Sequence, residues 1–220
     1  MTATTWRERL LALDTGLVSD ALDRLALKGA TYGIRPVFPS SRIAGRVQTV
    51  HTTPAGRTVS QHHLGMRTIA AAEPGDVIVV DSGGRIDVSS WGDILSTASK
   101  LKGLSGVVVD GACRDVDGCQ AVGFPVYARG IVPMTARGRI VEDAFNVPVQ
   151  CGGVAVHPGD WLIADGSGVV FIPQDRVAEV LGVAEELAAA EQQMLASLKE
   201  GMAVLQVDQQ SGYEQMLKHD

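Results

Sequence analysis

The 220-residue sequence predicts an α/β domain, on three observations. Two short apolar runs, Val77-Ile78-Val79-Val80 and Gly106-Val107-Val108-Val109, have the composition of strands buried on both faces. Around them lie stretches whose apolar residues recur three or four apart, the spacing of one helix face. Twenty-five glycines punctuate these segments, as many tight turns between short elements require. The length suits one good-sized core, so residues 1–220 are expected to form a single domain, with a core over about 15–200 and a C-terminal tail over 201–220.

The elements follow in order. Thr5 to Leu13 reads as a short helix. A second helix runs through Ala21, Leu22, Leu25 and Ala26, with Thr15 or Ser19 as its cap and Gly29 as its stop. Ile43 to His51 alternates as a strand does, and Arg57 to Ala72 is weakly helical. Pro74-Gly75-Asp76 turns into the first buried strand, which Gly83-Gly84 ends. Gly92 to Lys102 forms a helix with Ile94, Leu95, Ala98 and Leu101 on one face, stopped by Gly103. Val107 to Val109 is the next strand, Val116 to Val122 a helical turn or two, and Phe124 to Ala128 another extended piece.

The segment from Pro74 to Asp81 recurs from Pro158 to Asp165: a turn, an apolar strand and a terminal aspartate in each. The period is too long and the copies too few for a solenoid. The two copies are either similar edges or layers of one core, or two chance strand-entry turns. Asp175 to Lys199 forms a long helix with the stripe Val177, Val180, Ala184, Leu187, Met194 and Leu198, and Glu191 falls within that stripe. A carboxylate there is either buried against a partner or a cation, or wet where the helix outruns the core.

A net charge of −6 leaves no basic footprint for nucleic acid. No apolar run approaches the roughly 20 residues that cross a bilayer, so no membrane partner is expected. The N-terminus has no apolar signal core. The three cysteines, Cys113, Cys119 and Cys151, form no Cys-x-x-Cys pair, and their odd count without an export signal favours reduced thiols and a cytoplasmic location. The five histidines lack zinc spacing, and the adjacent pair His62 and His63 reads as a loop or interface feature.

The chemistry-bearing residues are Asp93, in Trp91-Gly92-Asp93-Ile94-Leu95, and Asp115, which follows Cys113-Arg114. They frame one helix and one buried strand. Carboxylates suit hard cations such as Mg²⁺ and Mn²⁺, and an arginine clamps a carboxylate with two parallel bonds. The plainer alternatives are that Asp115 caps the helix at Val116, pairs with Arg114 at the surface, or both, and that Asp93 is a first-turn residue favoured by the helix dipole. Cys113 beside Arg114 is a candidate nucleophile, but no histidine lies near it in sequence. Gly83-Gly84 and Gly166-Ser167-Gly168 lack the spacing of a phosphate-binding loop.

Taken together, these residues resemble the family of 4-hydroxy-4-methyl-2-oxoglutarate aldolases and the regulator of ribonuclease activity A, the RraA-like family. The matching segments are Val18 to Asp23, Ile43 to Val47, Pro74 to Asp81, Trp91 to Leu95, Gly106 to Asp115, Gly123 to Gly130 and Pro148 to Pro173. The Gly-Asp-Ile-Leu block followed by Arg114-Asp115 is the specific part.

The resemblance implies a swivelling β/β/α fold with flanking N- and C-terminal helices, assembled as a homotrimer or a dimer of trimers with sites at the subunit interfaces. It implies that Asp115 binds Mg²⁺ or Mn²⁺, that Arg114 contacts substrate, and that Gly92, Asp93, Ile94 and Leu95 hold substrate through backbone amides. Asp93 then reaches the metal through water, and a glutamate from a neighbouring subunit, best matched by Glu191, completes the site. The implied activity is that of a metal-dependent lyase cleaving a 4-hydroxy-2-oxo acid to pyruvate through a metal-stabilised enolate, with decarboxylation of oxaloacetate by the same chemistry. Arg114 and Asp93 are its catalytic residues, and the loops near 51–67 and 84–91 set the substrate. The alternative is a non-catalytic protein-binding regulator. One departure stands out: where many aldolases carry an acidic residue three positions after the metal aspartate, this chain has Gly118, with Asp117 one position away.

Overall fold

Alternate residues of the two apolar runs face different cores. Val77, Val79 and Val108 pack in one cluster, and Ile78, Val80, Val107 and Val109 in another. Both strands are therefore buried on both faces, which is why they lack polar alternation.

The computed structural model describes residues 3–58, 60 and 62–211. In chain order the elements are α1 (Ala3–Leu11), α2 (Thr15–Arg24), β1 (Arg35–Pro36), β2 (Ile43–Pro54), α3 (Met66–Ala71), β3 (Val77–Asp81), α4 (Asp93–Lys102), β4 (Gly106–Cys113), α5 (Val116–Val122) and β5 (Val126–Ile131). There follow β6 (Ile140–Phe145), β7 (Val149–Cys151), β8 (Val154–Val156), β9 (Trp161–Asp165), β10 (Gly168–Ile172), α6 (Val177–Lys199) and α7 (Val204–Ser211).

One sheet runs in the order β1-β5-β4-β3-β2-β9-β10, with β6 also paired to β2. Strands β2 to β5 are parallel neighbours, whereas β9, β10, β1 and β6 join antiparallel. The two ends approach each other: Ala30 bridges Val170, and Thr31 N–H donates to the Val169 carbonyl at 3.0 Å. The sheet thus nearly closes into a barrel. The β7–β8 hairpin fills it, placing Val149, Cys151, Val154 and Val156 in the inner cluster. Helices α3, α4 and α5 cover one outer side through Ile69, Leu95 and Cys119. Helices α1, α2 and α6 cover β9 and β10 through Leu10, Leu22 and Leu181. This is the α/β architecture with flanking helices that the sequence predicts.

The hairpin is held at the strand ends. Asp81 and Asp110 are register partners across β3 and β4, and both are buried. Asp81 accepts from Gln150 N–H at 3.0 Å and Asp110 from Gly152 N–H at 2.8 Å. Arg129 of β5 pairs with Asp110 and lies over the Tyr32 ring.

The repeat is structural. Strands β3 and β9 both pair with β2, β3 along Val47–His51 and β9 along Ile43–Arg46. Asp76 and Asp160 each accept from the amide three residues before them, at 3.0 and 2.8 Å. Asp81 and Asp165 each accept from the amide two residues after them, both at 2.9 Å.

Several expectations need correction. The cap of α2 is Asp14, which accepts from Leu17 N–H at 2.9 Å, while the Thr15 hydroxyl donates to Asp165 at 2.8 Å. That helix ends at Arg24, because Ala26 is left-handed at φ 54°. Of the weakly helical stretch 57–72, only Met66–Ala71 is helix, and Val59 and Gln61 lie outside the described residues. On α4 the buried residues are Leu95, Ser96 and Ser99, whereas Ile94 and Leu101 are exposed. Ser96 replaces them inward because it accepts the Trp91 indole N–H at 2.9 Å and touches Cys119 of α5 at 3.2 Å. Helix α6 buries Val177, Val180, Ala184 and Leu187 and then leaves the core, so Glu191 and Leu198 are exposed in the single chain. The segment expected as a tail contains α7, which packs against α6 and buries Val207.

The Asp110–Arg129 pair yields a stability prediction. Asp110→Ala should leave a half-buried guanidinium and the Gly152 amide without their acceptor, costing about 3 kcal/mol or more. Urea unfolding monitored by far-UV circular dichroism checks this, and a loss under about 1 kcal/mol contradicts it.

Candidate active-site cleft

The segment Ser89–Gly92 lies alongside the end of β4. Ser89 forms a parallel bridge to Ala112, Ser90 N–H donates to the Ala112 carbonyl at 2.9 Å, and Arg114 N–H donates to the Trp91 carbonyl at 3.0 Å. These bonds set Gly92 against the Arg114-Asp115 pair. A Cβ at Gly92 would stand 2.7 Å from Asp115 Oδ2 and 3.5 Å from Arg114 Cγ, so the carboxylate occupies space that any side chain at 92 would take. Trp91, only 2% exposed, stacks on Phe124 and anchors the segment.

Helix α4 starts at Asp93, and no side chain caps it. Its first helical bond is from Ser96 N–H to the Gly92 carbonyl, at 3.0 Å. The amides ahead of Ser96 are therefore not used within the helix, and they carry the positive end of its dipole. The cleft is lined there by Gly92, Asp93, Ile94 and Leu95.

Asp115 is left-handed, at φ 54° and ψ 41°. For a non-glycine residue this costs on the order of 1–3 kcal/mol, and such outliers gather at functional sites. Although Asp115 precedes α5, its side chain makes no capping bond, so the capping alternative is not what the structure holds. Its Oδ2 instead lies 3.0 Å from Arg114 Nε, with both side chains 35% exposed. The plainer pairing with Arg114 is thus present, but it sits inside a cleft.

Gly118 explains itself in three dimensions. A Cβ at 118 would approach Asp93 Cβ at 2.8 Å and its Oδ2 at 3.0 Å. The bare helix face of α5 is what accommodates the Asp93 side chain. Asp117 is exposed and does not line the cleft, so it does not take the place of an acidic residue at 118.

The cleft has a volume of about 370 Å³. Arg114 and Asp115 join the start of α4 on one wall. The other walls carry His62, His63 and Leu64 before α3, within the 51–67 loop expected to set the substrate, and Thr135, Ala136 and Arg137 between β5 and β6, which the sequence did not single out. The sequence marks no histidine for proton transfer, yet the fold puts two in this wall. Glu142 of β6 holds the 62–65 loop, accepting from Gly65 N–H at 2.6 Å and from Arg67 Nε at 2.8 Å. Glu191 does not line the cleft of its own chain.

The three thiols are free and buried. Burial pushes Cys113 up to about 12, and burial likewise raises Cys119 and Cys151. A thiol held protonated is no nucleophile, which disposes of that reading of Cys113. The hard oxygen donors of the cleft are Asp93 and Asp115. Among the described residues, no three histidine, cysteine or acidic side chains gather into a metal-binding group.

A nearly closed sheet filled by a hairpin, with a carboxylate–arginine pair beside a helix N-terminus, defines an α/β protein with a polar cleft at that helix end. The RraA-like model, described as aldolase/RraA, matches residues 15–171, and the chain belongs to this family. A relative from Halalkalibacterium halodurans, provisionally named 4-hydroxy-4-methyl-2-oxoglutarate aldolase, is 33% identical over 177 residues, covering 80% of each chain. Protein DlpA of Legionella pneumophila is 29% identical over 94% of this chain, which spans only 34% of its length. The crystal structure of an uncharacterised protein from Pseudomonas syringae superposes with a TM-score of 0.85 at 32% identity, covering 93% of this chain and 97% of that one. RraAS2 of Streptomyces coelicolor, described as an unusual member of the RNase ES inhibitor RraA protein family, superposes at 0.76 with 25% identity, covering 86% and 94%.

Gly118→Ala tests the packing around Asp93. The extra methyl should displace Asp93 and lower whatever turnover the cleft supports by about 10-fold or more, since small misplacements of reacting groups are costly. Steady-state kinetics beside a thermal melt check this, and full activity in a normally folded variant contradicts it.

Proposed function

We propose that the protein is a divalent-metal-dependent carbon–carbon lyase that cleaves a 4-hydroxy-2-oxo acid to pyruvate and decarboxylates oxaloacetate. The observation that carries this reading is the strained Asp115, held beside Arg114 and against Gly92 at the N-terminus of α4. The provisional aldolase name of the Halalkalibacterium relative supports it.

The donor set suits Mg²⁺ or Mn²⁺, because Asp93 and Asp115 are hard carboxylates that line one cleft. Asp115 would hold the cation directly and Asp93 through water, with Glu191 of a neighbouring subunit completing the site. When bound, the cation supplies positive charge at the 2-oxo oxygen of the substrate. The chain's own groups do the rest. The free amides of Asp93, Ile94 and Leu95 receive the C1 carboxylate at the positive end of α4. Arg114 donates to the oxygen on which negative charge accumulates as the C–C bond breaks. As the C3–C4 bond breaks, the 4-hydroxyl loses its proton to water and the carbonyl product leaves; a water hydrogen-bonded to Asp93 then gives a proton to C3, which yields pyruvate. In decarboxylation the same groups act, and CO₂ is the leaving group.

A site needing Glu191 from a second copy requires an oligomer, for which we propose a trimer or a dimer of trimers. Glu191 is exposed on α6 beyond the core, together with Leu195 and Leu198, as residues that meet another subunit would be. The second reading, a non-catalytic protein-binding regulator, draws on the likeness to RraAS2. It requires no metal and no turnover.

Pyruvate release from oxaloacetate separates the two. Activity should vanish with EDTA, return with Mg²⁺ or Mn²⁺, and be absent in Asp115→Ala, whose circular dichroism and oligomeric mass should match wild type. Metal-free protein working at full rate refutes the metal reading, and a wild type that is inert with every metal favours the regulator.

The shared site is tested by complementation. Glu191→Gln should lower activity with little change in melting temperature. Oligomers mixed from Asp115→Ala and Glu191→Gln subunits should regain part of it, because a mixed interface can unite an intact Asp115 with an intact Glu191. Subunit exchange is verified by pull-down of differently tagged chains. Exchange without recovery, or a fully active Glu191→Gln, rules out an interface site built through this residue.

A further inference from the structure

We propose that Ser96 is a positioning residue for the candidate site: through Cys119 it locks the strained corner at Arg114-Asp115 against the N-terminus of α4. Its consequence, firm holding of a divalent cation, rests on the metal-dependent lyase reading, whereas the linkage itself stands on the hydrogen bonds alone.

Ser96 is fully buried in the first turn of α4, and its hydroxyl closes a ring of hydrogen bonds between two segments. The Trp91 indole N–H donates to Ser96 Oγ at 2.9 Å. Ser96 Oγ donates in turn to Cys119 Sγ at 3.2 Å. The Gly92 carbonyl also lies 3.1 Å from that hydroxyl, but it already accepts from Ser96 N–H at 3.0 Å. The Cys119 thiol, kept protonated by burial, donates to the Arg114 carbonyl at 3.9 Å, a long contact suited to sulfur. Arg114 N–H donates back to the Trp91 carbonyl at 3.0 Å and completes the ring. Trp91 and Cys119 are buried as well, so the ring acts as one connected network, in which each bond supports the next.

Asp115 needs such a brace. A left-handed backbone at a non-glycine residue persists only where its surroundings over-determine it. Helix α5 has seven residues and no side-chain cap, so it supplies little constraint of its own. The ring grips Arg114 by both its N–H and its carbonyl, on one flank of Asp115. On the other flank Cys119 N–H donates to the Asp115 carbonyl at 2.9 Å. Cys119 thus holds both flanks, and Ser96 ties Cys119 to the helix that begins at Asp93. With the ring cut, Asp115 can relax towards ordinary backbone, and its carboxylate leaves its place beside Arg114 and Gly92.

The test is Mn²⁺ binding to the whole protein, read by loss of the free-ion electron paramagnetic resonance signal. Ser96→Ala and Cys119→Ala cut the ring at different points. Each should weaken Mn²⁺ binding about 10-fold or more, as loss of an outer support of a metal ligand does. The double variant should bind no more weakly than either single one, because a ring already open has nothing further to lose. Cys119→Ser keeps a donor and an acceptor and should recover most of the affinity. Ser99→Ala is the control: among the described residues its hydroxyl is equally buried, has no partner and lies one turn along α4, so Mn²⁺ binding should not change. If Ser96→Ala, which orphans the indole N–H, does not fold, Cys119→Ala and Cys119→Ser carry the comparison. Unchanged affinity in the ring variants, an equal loss in Ser99→Ala, or single losses that multiply in the double variant overturns the proposal. Hydrogen exchange of the metal-free protein, read by mass spectrometry, follows the linkage without a cation. Ser96→Ala should speed exchange over residues 111–119, and Cys119→Ala over 91–99, whereas Ser99→Ala should leave 111–119 unchanged. If wild type binds no Mn²⁺, the metal reading falls and this arm decides: faster exchange across the ring upholds the linkage, and unchanged exchange overturns it.

Discussion

Two buried carboxylates at the ends of adjacent parallel strands organise this molecule. A sheet that nearly closes needs its interior filled, and the β7–β8 hairpin fills it. The hairpin brings backbone amides up to the strand ends, where an unpaired buried donor is costly. Asp81 and Asp110 accept two of those amides, and Arg129 offsets the charge of Asp110. The same strand ends launch the segments that build the cleft: residues 82–92 leave β3, and Arg114-Asp115 leaves β4. The hydrogen bonds that seat the filling hairpin and the geometry of the candidate site therefore depend on one register.

Space, rather than charge alone, shapes the cleft. Asp115 sits where a side chain at 92 would be, and Asp93 sits against a helix that lacks one at 118. Two glycines of ordinary conformation thus make room for two carboxylates. The strain is concentrated at Asp115, whose left-handed backbone turns the chain sharply from β4 into α5 while its carboxylate stays with Arg114. A relaxed backbone at that corner would aim the carboxylate elsewhere.

One chain brings two carboxylates and two arginines to a cleft of about 370 Å³, a size that suits a small molecule. A hard cation prefers more oxygen ligands than two carboxylates supply, and water or a second subunit can provide them. The exposed end of α6 is where the chain offers a further carboxylate, and nothing in its own core uses it. The family includes both proteins named as aldolases and proteins described as ribonuclease inhibitors. The fold alone does not choose between them.

Local physics made much of this protein legible in its sequence. Runs such as Val77–Val80 have the length and β-branched composition of strands buried on both faces, and Gly103 ends α4 because its φ of 82° suits glycine. The duplicated turn, strand and aspartate forms the same hydrogen bonds in both copies, since those bonds span only two or three residues. Asp93, Arg114 and Asp115 stood out because they flank a helix and a strand close in sequence. Tertiary contacts decided the rest. Ser96, not Ile94, faces inward because Trp91 and Cys119 approach from other elements. Asp14 rather than Thr15 caps α2 because Asp165, far along the chain, takes the Thr15 hydroxyl. His62, His63 and Arg137 reach the cleft only because β6 pairs with β2 and the loop after β5 is tied to Ser89. Periodicity and caps report what a residue does with its neighbours along the chain; which distant loop walls a cleft depends on sheet closure, and no local pattern encodes that.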